Sequence, residues 1–319
     1  MVEVGNKEKH IFCEEKVARN TIGVFADDGI YFGSEMKYSE PNENPRSLKP
    51  RISVEGGLQR ETMDSGASLY QYTLSWIVTD FKHLQYLLSS NVEAGASPYT
   101  HTFSLALSTT SKFFSYQRIL GNGTVMTYLG CSFLRVKYEW QKSTGDDESG
   151  YIRATASVIA TSFDDTVAAQ VAGDDTTTKV PFTFNEFKAT VGGTEIVECI
   201  NGSIEIDSGI NPEEFFYCNA TLDENIGTIN PVFYTTVGNL VVNIKDGTQI
   251  NEMQQDGISG VNKFEFIKDN TTNKIVFTFA DLFNLQPFSD TNYRGLTSVG
   301  VVYDATIINI VVTDEIVNY

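Results

Sequence analysis

Basic residues, cysteine, histidine and proline are all scarce in this chain, and each scarcity narrows what it can do. Lys and Arg number 23 against 41 Asp and Glu, a formal charge of −18. Such a surface repels phosphate and anionic lipid, which argues against gripping DNA and fits a surface that lets DNA pass without sticking. Four cysteines (Cys13, Cys131, Cys199, Cys218) lie far apart with no CxxC pair. They read as reduced thiols of a chain folded in a cytosol, with two disulfides as the alternative. The three histidines, His10, His83 and His101, form no HExxH or HxH arrangement, which argues against zinc. The sequence also lacks GxSxG, a P-loop and a dinucleotide fingerprint. With 8 Pro and 25 Gly, the chain is neither collagen-like nor dominated by linkers. No apolar stretch approaches the ~18–20 residues that span a bilayer. The opening residues, Met1 to Glu8, have no apolar run and no cleavage site, so neither a signal peptide nor a membrane partner is expected.

The acidic clusters carry little chemistry of their own. Asp146-Asp147-Glu148 and Asp174-Asp175 lack the spaced DxDxDG pattern that wraps a cation, and they read as solvated turns. No pair of carboxylates stands out for glycoside chemistry. The expectation is a non-enzymatic protein with no catalytic residue, no cofactor and no metal.

What the chain does have is strand-like alternation, in short runs of Val, Ile, Thr, Phe and Tyr broken by Gly, Asn and Asp. Its 21 Phe and 15 Tyr supply ample surface to bury, and 319 residues suffice for two cores. Tyr128–Trp140 sets Phe133, Arg135 and Lys137 against Leu134, Val136 and Tyr138. Tyr151–Ser162 alternates in the same way, and the polar stretch Gln141–Gly150 joins the two as a long antiparallel hairpin. A second hairpin reads as Lys263–Lys268, turn Asp269–Asn273, then Lys274–Leu282. Further strands are expected at Arg51–Glu55, Tyr70–Val78, Thr102–Leu107, Ile196–Ile206, Leu240–Ile244 and Val299–Val312.

Helices are few. Asp80–Ser89 is the best, with Asp80 as N-cap and Phe81, Leu84, Leu87 and Leu88 as one apolar stripe. That puts His83 on the polar side of the helix, while His101 falls just before a strand. A shorter helix is expected near Thr248–Gln255. Ala172–Lys179 is the clearest break, small and polar between strand-rich regions. Residues 1–172 hold 20 acidic against 16 basic side chains and residues 173–319 hold 21 against 7, so the halves carry −4 and −14. Both halves run through strands, a helix or loop, a hairpin and long paired strands at the end, which hints at a duplicated domain. Residues 1–50, with Pro41, Pro45 and Pro50, read either as an extended arm reaching onto a neighbour or as a strand packed on its own domain. The division expected is thus an arm over 1–50, one domain over 51–172 and a second over 180–319.

Several segments carry a family resemblance. They begin with Pro45-Arg-Ser-Leu-Lys-Pro-Arg51 leading into Ile52–Glu55, a Gly-rich loop around Gly56–Gly66, and the strand–helix unit Tyr72–Ser89. Pro98-Tyr-Thr-His-Thr-Phe-Ser-Leu105 and Tyr128-Leu-Gly-Cys-Ser-Phe-Leu134 follow, the latter with its partner ending Ala154-Thr-Ala-Ser-Val158. In the second half come Pro181-Phe-Thr-Phe184, Ile196–Ile206, Ile275-Val-Phe-Thr-Phe279, Tyr303-Asp-Ala-Thr306 and Ile307–Val312. From about Gly29 onward this order resembles the tail tube proteins of long-tailed phages with non-contractile tails. The motifs match in order and spacing more than in identity.

The resemblance implies a mostly β fold: two tandem β-sandwich domains of the tail-tube type with one or two short helices. Each domain is implied to give about four strands to a large intersubunit β-barrel. Partners implied are copies of itself, in rings of three with pseudo-sixfold shape stacked head to tail, and the tape-measure, tail terminator and distal tail proteins. The place implied is the virion tail, assembled in the host cytoplasm, with DNA passing through the lumen without specific binding. About 24 strands at ~4.8 Å spacing and ~40° tilt give a radius near ~24 Å and a lumen of roughly 40 Å, wider than a duplex. In such a tube, lumen carboxylates, contributed mainly by the second half, keep phosphate from adsorbing, and the loops Gly56–Gly66 and Gln141–Gly150 bridge rings. Two other readings compete. One is a different virion or surface β-sandwich module (baseplate, decoration or glycan-binding adhesin), which stays a discrete particle. The other is a carbohydrate-active enzyme, which needs two convergent carboxylates.

Overall fold

A computed structural model describes residues 8–15, 30–39, 42–47, 65–88, 90–104, 112–142, 150–170, 179–196, 199–210, 234–244, 261–269, 272–291 and 297–315. The first half contains β1 (Lys9–Glu14), β2 (Gly33–Tyr38), β3 (Asn42–Ser47), β4 (Ser65–Val78), α1 (Leu84–Leu87), β5 (Ser90–Ala94), β6 (Tyr99–Ser104), β7 (Phe114–Ile119), β8 (Val125–Gln141), β9 (Arg153–Ala160) and β10 (Ser162–Asp164). The second contains β11 (Phe187–Val191), β12 (Thr194–Ile196), β13 (Cys199–Asp207), β14 (Thr235–Ile244), β15 (Asn262–Asp269), β16 (Asn273–Thr291) and β17 (Thr297–Asp314).

All seventeen strands belong to one hydrogen-bonded network, and its pairings resolve into a wall and two covers. In the wall, β2 and β3 lie end to end along β4. The order then runs β4, β9, the C-terminal half of β8, β13, β14, the N-terminal half of β17, and the C-terminal half of β16. One cover is β1–β7–β8–β10, using the N-terminal half of β8. The other is β5–β6–β17–β16–β15–β11–β12, using the C-terminal half of β17 and the N-terminal half of β16.

Alternation makes this a sandwich. Wall residues Trp76, Ala154, Tyr138 and Ile204 are register partners in one row, all buried, and the alanine between the two large rings leaves room for both. Against the first cover, Tyr72 packs on Tyr116 at 5.4 Å and Phe133 on Phe114 at 4.9 Å between ring centroids. Against the second, Trp140 meets Phe187 at 4.5 Å and Phe266 at 5.2 Å. One apolar core runs continuously beneath both halves.

Three strands change layer partway along. β8 leaves the first cover at Gly130, whose φ of +61° suits a residue without Cβ. The backbone N–H of Gly130 donates to the buried Glu15 carboxylate at 2.7 Å, and the same oxygen accepts from Ser115 Oγ at 2.7 Å. Glu15 thus satisfies the Gly130 N–H at the bend together with the buried Ser115 hydroxyl. Replacing Glu15 with Ala is expected to cost about 2–3 kcal/mol in a denaturant melt, and with Gln distinctly less, because the amide oxygen still accepts.

The predicted hairpins are present. β8 pairs β9 and β15 pairs β16, both antiparallel. Three details differ. A register shift between Phe133 and Arg135 turns Phe133 into the core, away from the face that Arg135 and Lys137 share. Strand β16 runs past Leu282 to Thr291, through Pro287. A missing N–H is tolerated there because this half of β16 pairs only with β17 among the described residues. Ile196–Ile206 splits in two, because β12 pairs in a cover and β13 in the wall.

The helix over Asp80–Ser89 shrinks to the single turn α1. The stripe residues Phe81, Leu84, Leu87 and Leu88 are buried, but His83, Gln85 and Tyr86 are buried as well, so α1 has no solvent side. The bonds Leu84 N–H to Phe81 O and Tyr86 N–H to His83 O span three residues, so the chain tightens into a short turn before β5. Asp80 accepts from the Lys82 N–H at 3.2 Å and pairs with Lys179 at 2.9 Å. His83 accordingly sits in the core, not on a polar side. The strand expected over Arg51–Glu55, the helix near Thr248–Gln255, the two acidic clusters and most of the Gly56–Gly66 and Gln141–Gly150 loops lie outside the described residues.

Candidate assembly surface

The wall has one face in the core and one outside, and the outer face is where its chemistry lies. Register places Ser75, Thr155, Lys137, Glu205 and Val237 in one row across five strands. The next row is Thr73, Ser157, Arg135, Asp207 and Thr235. Polar and charged side chains alternate with the buried set because side chains on a strand point to opposite faces in turn.

Charges on this face form partly exposed ion pairs. Arg135 lies 3.7 Å from Glu205, Lys137 2.6 Å from Glu139, and Arg153 3.9 Å from Glu35. Arg135 Nε also donates to Ser157 Oγ at 3.2 Å. Pairs this exposed contribute at most about 1 kcal/mol each, so they tune the face without holding the fold. The two halves contribute unequally. Strands β8 and β9 bring Arg135, Lys137 and Arg153 with Glu139, whereas β13 and β14 bring Glu205 and Asp207 and contain no Lys or Arg. Two shallow concavities straddle the β8–β13 junction. One, of about 590 Å³, is lined by Gln71, Thr73, Arg135, Ser157 and Asp207. The other, of about 360 Å³, is lined by Glu139, Tyr151, Arg153, Asn201 and Asn239.

The titratable groups of the interior do not open onto this face. His83 is fully buried, with Nε2 2.6 Å from Tyr138 Oη and its ring edge-on to Trp76 at 5.0 Å. Burial lowers its pKa to about 3 and raises that of Tyr138 well above the usual phenol range. His10 holds Tyr116 Oη at 2.7 Å, and burial lowers its pKa too. His101 lies inside β6, not before a strand. It is buried 3.5 Å from Asp314 and 3.9 Å from Glu93, tying β6 to the end of β17 and to β5. Cys13, Cys131 and Cys199 carry free thiols, and burial pushes that of Cys199 up to about 12. Among the described residues no three His, Cys, Asp or Glu side chains group to hold a metal ion, and no helix is long and apolar enough to cross a membrane.

The sequence had no signal for the β8–β13 junction, since no local pattern says which strand follows β8. A family model described as phage tail tube protein matches residues 33–278, from the first residue of β2 into β16. No curated protein matches the chain.

Proposed function

This chain belongs to the phage tail tube protein family, a structural component of the virion tail, and on that premise we propose that it polymerises as stacked rings into a hollow conduit for viral DNA. The observation that carries this reading is the wall. It is an eight-strand sheet crossing both halves, and its strands β4, β9, β8, β13 and β14 are apolar toward the covers and mostly polar on the free face, with Val237 exposed there. First-half strands β2/β3, β4, β9 and β8 are matched by β13, β14, β17 and β16. Three such walls supply the ~24 strands whose closure gives a bore of roughly 40 Å.

The polar face then lines the bore. Its second-half strands offer Glu205 and Asp207 without a cation of their own. Carboxylates there keep phosphate from adsorbing, and DNA slides without specific contacts. The halves on either side of 172–179 act as two tube domains. Partners are further copies of the chain and the tape-measure, terminator and distal tail proteins, with assembly in the host cytoplasm. No enzymatic step belongs to this role.

Negative-stain electron microscopy of the purified protein, fresh and after concentration at low salt, tests the proposal. Hollow tubes or stacked rings with a bore near ~40 Å are the expected result. Compact particles that never stack, even with a tail-tip extract as initiator, would replace the conduit with a discrete binding module of the virion.

A further inference from the structure

Asparagine followed directly by glycine is the pair at which a peptide chain most readily attacks itself, because glycine has no side chain to block ring closure. The sequence holds two such pairs, Asn122-Gly123 and Asn201-Gly202. The fold puts them in opposite settings.

Asn122 and Gly123 lie at the tip of the β7–β8 hairpin, beyond the last register pair, Ile119 opposite Val125. Residues 121–124 are all exposed. Gly123 has a φ of +88°, and no atom lies within 4 Å of where a Cβ would stand, so the approach to its nitrogen is open. The turn is held by Leu120 N–H to Thr124 O at 2.9 Å, Gly123 N–H to Leu120 O at 2.8 Å and Thr124 N–H to Asn122 Oδ1 at 3.0 Å. These bonds sit at a solvated tip, where water replaces them at little net cost when the turn frays.

Asn201 and Gly202 lie inside β13. Gly202 is buried, opposite Trp140 on β8 and Leu240 on β14, and Asn201 is opposite Gln141 and Val241. A Cβ on Gly202 would stand 2.6 Å from Trp140 Cζ2, so the indole packs directly against this residue. Freeing the Gly202 nitrogen for attack means parting β13 from its neighbours in the wall, a far costlier opening than fraying a turn.

We propose that Asn122 is a site of spontaneous deamidation in the folded chain, and that the wall protects Asn201 from the same reaction. The Gly123 nitrogen gives up its proton and bonds to the side-chain carbonyl carbon of Asn122. The carbon–nitrogen bond of the side-chain amide breaks, ammonia departs with a proton, and a succinimide ring remains. Water then opens the ring. Cleavage at the former side-chain carbonyl leaves aspartate, and cleavage at the main-chain carbonyl leaves isoaspartate. Water is the only reactant consumed, and nothing is oxidised or reduced. Either product adds a carboxylate to a chain that already carries −18. Isoaspartate also lengthens the main chain by one carbon, within a turn that the Leu120–Thr124 bond closes. The site stands on the hairpin alone and is independent of assembly.

A time course on the full chain in mildly alkaline buffer, with and without urea, tests this by peptide mapping with chromatography and mass spectrometry. In buffer, the Asn122 peptide is expected to give aspartate and isoaspartate products of equal mass and different retention, with Asn201 converting ~10-fold more slowly or less. In urea the two sites should convert at similar rates, because the fold no longer separates them. Asn122→Gln should abolish the products at the turn and leave Asn201 unaffected, since the longer side chain closes a ring poorly. Asn122 surviving in buffer while converting in urea would show that the turn holds the Gly123 nitrogen in place, and would overturn the site. Equal conversion at both positions in buffer would overturn the protection by the wall. Aspartate without isoaspartate would overturn the succinimide route.

Discussion

Acidifying the protein from pH 6.5 to pH 4 is expected to remove about 3 kcal/mol of stability through His83 alone. The ring is fully buried, and burial lowers its pKa from 6.5 to about 3 in the folded chain. Well above pH 6.5 the imidazole is neutral in both states and contributes nothing to the pH dependence. Below it, the unfolded chain gains a proton that the folded chain refuses, so stability falls steadily until the pH reaches the folded pKa. His10 adds to this in the same direction.

The check is a set of urea melts at half-unit steps between pH 7 and pH 4, comparing the native chain with His83→Phe combined with Tyr138→Phe. Removing both ends of the 2.6 Å hydrogen bond leaves no orphaned hydroxyl in the core. The double variant should show a slope shallower by roughly one proton across this window. An unchanged slope would mean that His83 takes up its proton in the folded chain as it does in the unfolded one.

The second large effect lies at the β8–β13 joint. Trp140 is buried between the wall and the rings of Phe187, Phe264 and Phe266. Its truncation to Ala opens a cavity and is expected to cost about 3–5 kcal/mol. Its neighbour across the strand is Gly202. A Cβ there meets Trp140 Cζ2 at 2.6 Å and Cε2 at 2.8 Å, with the Asn239 carbonyl oxygen at 3.0 Å. Gly202→Ala is therefore expected to cost about 1–3 kcal/mol by overpacking. The two changes should not add. With the indole gone, the added methyl enters the space it vacated, and the double variant should be at least ~1 kcal/mol more stable than the sum of the single effects predicts. Denaturant melts of the four proteins measure this. Strict additivity would show that Gly202 is required for some reason other than the indole against it.

The strands were legible in the sequence because their signal is local. Lys263–Leu282 shows its hairpin through alternation and the polar turn at Asp269–Asn273, and β15 and β16 pair as that pattern requires. The same holds for Tyr128–Trp140 with Tyr151–Ser162. Ordered segments from Pro45 to Val312 carried the family resemblance, and membership follows from the match over residues 33–278.

What failed did so where local pattern meets tertiary burial. The apolar stripe of Asp80–Ser89 was real, but the chain packs that segment on every side, so it forms one turn and takes His83 into the core. The bulge at Phe133 reversed the parity that alternation alone assigned to it.

The sequence by itself determined the β class, the two main hairpins, the acidic balance and the family, because periodicity, composition and motif order are properties of short windows. Only the tertiary structure decided that β13 follows β8 in the wall and that β8, β16 and β17 each serve two layers. Those facts depend on contacts between residues far apart in the chain, such as Lys137 and Glu205, and a strand's own alternation states which face it buries but not which strand it lies beside.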